Sequence, residues 1–72
     1  MTMFEELIQE VRVLDEYSLK DYTEFEILEE NIEWVSEKAV KLKDTKWIPF
    51  SQLAIDTDDN FFITHWFYDK IK

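Results

Sequence analysis

The residues of this chain that are able to do chemistry are few, and their spacing argues against a reaction. Asp56, Asp58 and Asn60 take the first three ligand positions of a calcium loop, but Phe61 stands where the sharp turn needs Gly and Phe67 where a bidentate Glu belongs. A solvated turn is the expected state of this stretch. His65 is the only histidine and cysteine is absent, so a transition-metal site would have to combine one imidazole with carboxylates at a spacing that nothing supports. Partial burial beside Trp66 is expected for His65. Ser51, His65 and an Asp supply the residue types of a triad without a nucleophile elbow or a glycine-built oxyanion hole. Adjacent carboxylates, Glu5 with Glu6 and Glu29 with Glu30, suit acid–base work only if one is desolvated enough to hold a proton near neutral pH, whereas Glu-rich faces are normally solvated. No catalysis, metal or cofactor is expected.

What remains is charge and aromatic surface. Of the 17 acidic residues, 12 lie in positions 1–37 beside only Arg12 and Lys20, a formal charge of −10, whereas the remaining residues carry +1. A chain of net charge −9 is repelled by phosphates and anionic membranes, so direct nucleic-acid or membrane binding is not expected and a basic protein is the natural complement. Lys38, Lys41, Lys43 and Lys46 near Trp47 form a weak basic footprint on so acidic a protein. The beginning of the chain lacks the basic and then apolar pattern of a secretory signal, and no apolar run spans a bilayer, so a cytoplasmic location is expected.

The elements that must position these groups follow from hydrophobic period. Phe4, Leu7, Ile8, Val11 and Leu14 recur at helical spacing behind a Thr2–Glu5 capping box. A second helix is expected over about 18–30, with Leu19, Tyr22, Phe25 and Leu28 on one stripe and Asn31 as a left-handed stop; a strand beginning near Tyr22 is the alternative, since Thr23, Phe25 and Ile27 also alternate. From Ile32 the period is two. Strands are expected around Ile32–Val35, Val40–Lys43, Lys46–Phe50 and Phe61–Ile63, joined by turns at 36–38, 44–45 and 56–60, with a short helix after Thr64 and Pro49 at an edge. With no glycine in the chain, any positive-φ position must fall to Asn or Asp, the candidates being Asn31, Asp44, Asp59 and Asn60. The fold class is thus α+β: one domain over 1–72, with an acidic helical part (1–31) and a mainly β part (32–72). An N-terminal helix or helical hairpin should pack on a three- to four-stranded antiparallel sheet, followed by a short C-terminal helix. Phe4, Leu7, Val11, Phe25, Val40, Leu42, Trp47 and Ile63 are the expected core.

Ala39-Val40, then Trp47-Ile48-Pro49-Phe50-Ser51-Gln52-Leu53, then an acidic turn, an apolar strand and Trp66, resemble a family of small, mostly uncharacterised bacteriophage proteins with a Trp-Ile-Pro-x-Ser-Gln segment. The resemblance covers about residues 32–72. It implies a phage origin and no activity. Together with the charge, it leads to the expectation of a non-catalytic inhibitor of the anti-CRISPR or anti-restriction type, which sets carboxylates in a basic groove of a host nucleic-acid-binding enzyme. The alternative is a phage accessory or assembly protein acting through an aromatic patch, including by self-association, with charge serving solubility alone. The candidate partner-binding residues are Glu24, Glu26, Glu29, Glu30 and Glu33 for the first reading, and Trp66 and Tyr68 for the second.

Overall fold

The computed structural model describes residues 2–71 and has an α+β fold. Helix α1 (Met3–Glu10) starts at Thr2, whose hydroxyl accepts from the Glu5 N–H at 3.1 Å and donates to the Glu5 carboxylate at 3.2 Å. Its apolar stripe places Leu7 in the core, with Phe4 and Ile8 half-buried. The helix does not continue to Leu14 as the periodicity suggests. Val11 is already extended, and residues 12–14 run along Ile55: the Ile55 N–H donates to the Arg12 carbonyl and the Leu14 N–H to the Ile55 carbonyl, both at 2.9 Å. Ile55 lies in a fully buried strand whose edge groups need partners away from water, and that demand outweighs the helical period.

The second helix expected over 18–30 is absent. In its place stand a 3₁₀ turn (Ser18–Asp21), strand β1 (Tyr22–Glu24), an extended stretch and another 3₁₀ turn (Glu29–Asn31). Strand pairing explains the choice: β1 aligns antiparallel with the last strand, β6 (Phe61–Thr64), with Thr23 opposite Ile63, and the Phe25 N–H continues the ladder to the Phe61 carbonyl at 3.0 Å. The alternative of a strand from Tyr22 is the correct one.

Among the described residues six strands form two three-stranded antiparallel sheets instead of the single sheet expected. One has the order β1-β6-β5, with β5 at Leu53–Ile55; the other is a meander of β2 (Ile32–Val35), β3 (Ala39–Leu42) and β4 (Trp47–Pro49). Both contribute to one apolar cluster with α1, in which Leu7, Val40, Ile48, Leu53 and Ile63 are fully buried. The closing helix α2 (His65–Ile71) is capped by Thr64, whose hydroxyl accepts from the Phe67 N–H at 3.3 Å and donates to Gln52 at 2.7 Å. Among the described residues only Asp59 has positive φ, at 64°; Asn31 sits in a 3₁₀ turn and provides no left-handed stop.

Two tryptophans are on the opposite side from that expected by alternation. Ile32 pairs with Leu42, Trp34 with Lys41 and Val35 with Val40, so the register slips by one residue between Ile32 and Trp34. This bulge turns Trp34 outward (63% exposed) and Val35 inward. Trp47, expected in the core, is 45% exposed because Ile48 takes the inward position of β4, opposite Val40. Phe4 and Phe25 are half-buried, and the remaining expected core residues are buried.

Candidate functional site

Four carboxylates of the acidic half, Asp15, Glu16, Glu24 and Glu26, lie around the β5–β6 turn. Asp56 holds this turn: its carboxylate accepts from the N–H groups of Asp58 and Asn60, both at 2.9 Å, and from the Asn60 side-chain amide at 3.1 Å. The calcium-loop spacing therefore serves an Asx-type turn, with Asp59 at its left-handed position. Among the described residues no group of three or more His, Asp or Glu is placed to hold a metal ion. These hydrogen bonds, first of all those from Asn60, hold the Asp56 carboxyl below the ordinary value of 3.8. The Ser18 N–H, donating at 2.8 Å, does the same for Asp15 at the start of the first 3₁₀ turn.

A group whose folded-state value is depressed contributes stability above its unfolded value and loses that contribution as pH falls through the folded one. Asp56→Asn should therefore melt below the wild type at neutral pH, and the gap should narrow as pH drops from about 4. Thermal melts across that range check this; a gap independent of pH would mean that the charge of Asp56 plays no part in holding the turn.

Two recesses flank the turn. One, of about 660 Å³, has Leu14, Leu19 and Phe62 as apolar lining and Asp15, Glu16, Asp56 and Asp58 as its carboxylates. The other, of about 210 Å³, is lined by Phe4, Ile27 and Phe61 with Glu24, Glu26 and Asp59. Residues 56–58 border the first and 59–61 the second, so the turn forms a ridge between them.

The expected binding residues are divided by this arrangement. Glu24 and Glu26 join Asp59 at the smaller recess, carried by a strand and its extension instead of a helix. Glu29 and Glu30 are exposed in the 3₁₀ turn before β2 and line neither recess. Glu33 lies on the other sheet, where its carboxylate is 3.4 Å from the Lys41 ammonium. Trp66 is 59% exposed and carries the Lys70 ammonium 4.1 Å from its ring centroid, whereas Tyr68 is half-buried, edge-on to Phe25 at 6.2 Å. Tyr68 thus packs partly against the core. His65 is exposed at the first position of α2, contrary to the expected partial burial. Asp15, Glu16, Asp56, Asp58 and Asp59 were not among the expected binding residues. Only the chain reversal that returns β5–β6 beside residues 14–19 unites them, and no local spacing encodes that.

Among the described residues no helix is long and apolar enough to cross a membrane. Compared with protein-family models, with curated proteins and with solved structures, the chain finds no match in any of the three.

Proposed function

We propose that this chain is a non-catalytic protein-binding domain that seats basic side chains of a partner in its two acid-rimmed recesses. Lys and Arg suit such a place, because their aliphatic stems cover an apolar floor while the charged head meets carboxylates at the rim. A surface that presents such side chains in rows is one built to hold phosphates, which makes a nucleic-acid-binding protein the fitting partner class. Taken with the resemblance of residues 32–72 to small phage proteins drawn from the sequence, the reading is a phage-encoded inhibitor, of anti-CRISPR or anti-restriction type, that fills the basic groove of a host defence enzyme in the host cytoplasm. The observation that supports it is the gathering of carboxylates from residues 15–26 and 56–59 around one ridge, in a chain of net charge −9.

The test is capture of a partner from bacterial lysate at low and high salt, with double-stranded DNA as competitor. Replacing Glu16, Glu24, Glu26 and Asp58 by Lys should slow association on the order of ten-fold or more at low salt, because steering by exposed charge acts on the on-rate. Added salt or DNA should release the partner. A second reading, a phage accessory protein acting through aromatics, draws on the exposure of Trp34, Trp47 and Trp66. A complex indifferent to salt, DNA and the four reversals, but lost on Trp66→Ala in a folded protein, would favour it over the inhibitor.

A further inference from the structure

The outer face of the β2-β3-β4 meander is built unlike the rest of the surface. Trp34 lies opposite Lys41 and Lys41 opposite Trp47, so the three side chains form one row across the sheet; Ala39 opposite Pro49 forms the next. Lys41 is pinned within that row: its ammonium donates to the Leu42 and Thr45 carbonyls at 3.1 and 3.0 Å and pairs with Glu33 at 3.4 Å. Its charge is thereby engaged inside the molecule. The indoles are 63% and 45% exposed.

Charge identifies what fits there. Residues 33–49 hold four Lys against Glu33, Glu37 and Asp44, a formal +1, so the rest of the chain carries −10. Two copies of so acidic a molecule repel each other through nearly every other orientation. Through this face they meet at their least charged region, with the acidic recesses on a different sheet. Charges of both signs at the rim, Lys38, Lys43 and Lys46 with Glu37 and Asp44, allow the self-complementary contacts that a two-fold interface requires. We infer that the Trp34–Lys41–Trp47 face is the contact of a symmetric homodimer.

Its size sets its strength. Three strands about 4.8 Å apart, rising about 3.3 Å per residue, make a face roughly 14 by 13 Å, below the roughly 800 Å² per partner of a standard stable interface. The dimer is therefore a weak one, formed at high protein concentration. The inference is independent of the basic partner proposed above, and its salt dependence has the opposite sign. Raising salt from about 0.01 to about 1 M shortens the screening length from about 30 to about 3 Å, which removes repulsion between copies and strengthens the dimer.

Sedimentation equilibrium of the full chain tests this, followed over protein concentration at both salt levels. The mass should climb from 8.9 kDa toward twice that value, and further at high salt. Trp34→Ser and Trp47→Ser should each raise the dissociation constant on the order of ten-fold or more, while Trp66→Ser leaves it unchanged. A dilution series of the wild type by NMR needs no variant: shift changes should cluster on Trp34, Ala39, Lys41 and Trp47. A chain that stays monomeric at millimolar concentration in high salt would overturn the inference. So would self-association that weakens with salt, or shift changes centred on the acidic recesses.

Discussion

Ile63→Ala should lower the unfolding free energy by about 2 to 5 kcal/mol, the range for large-to-small changes in a packed core. A 72-residue chain of ordinary stability has roughly 4 to 11 kcal/mol in total, so the variant should lose a large share of it and melt well below the wild type. Ile63 is fully buried in the central strand of its sheet, flanked by Thr23 and Leu53. Trp47→Ala removes a far larger side chain and should nevertheless cost only about 1 kcal/mol, the order of one cross-strand pair, because Trp47 stands on the outer face. Urea denaturation of both variants provides the comparison. A Trp47→Ala cost equal to that of Ile63→Ala would place Trp47 inside and reverse the face assignment of β4.

Deleting Glu33 should cost little, about 0 to 1 kcal/mol for its exposed ion pair, because it is the surplus residue of the bulge between Ile32 and Trp34. Its removal leaves Ile32 opposite Leu42, Trp34 opposite Lys41 and Val35 opposite Val40 in regular alternation, with every side chain on its present face. Deleting Lys41 should instead cost on the order of 3 kcal/mol or more, because Val40 and Leu42, both buried, become neighbours and one of them must leave the core. Thermal melts of the two deletions provide the comparison. Equal losses would mean that β2 needs its extra residue.

This bulge also marks where the sequence stops being readable. Strand existence from Ile32 onward follows from the alternation of Val40, Leu42 and their lysine neighbours, and the structure has those strands. The side of Trp34 does not follow, because a bulge leaves no signature in a chain without glycine. Tyr22–Glu24 was ambiguous between two periods, and only its partner β6, about forty residues away, decides for strand. Residues 11–14 show the same conflict, since the apolar period of a helix continues through a segment recruited to cover β5. Of the candidate site, the acidic character was evident and its assembly was not. Glu24 and Glu26 sit with Asp59 because strands meet in three dimensions, whereas Glu33, further along the same acidic run, is on the other sheet.

The pairing of Tyr22 with Thr64 has a consequence for how the chain is made. The meander β2-β3-β4 closes through neighbouring hairpins, so its contacts are cheap in loop entropy and can form early. The other sheet has β6 at its centre, and β1 has no strand to pair with until residues 61–64 exist. At about 5 to 20 residues per second, β6 is made roughly 2 to 8 s after β1. From the emergence of β1 until the two strands have paired, Tyr22, Phe25 and Ile27 are open to other chains. The glutamates interleaved with them, Glu24 and Glu26, then act as gatekeepers of the nascent chain, so the residues proposed to meet a partner in the finished protein would first serve to keep the unfinished one in solution.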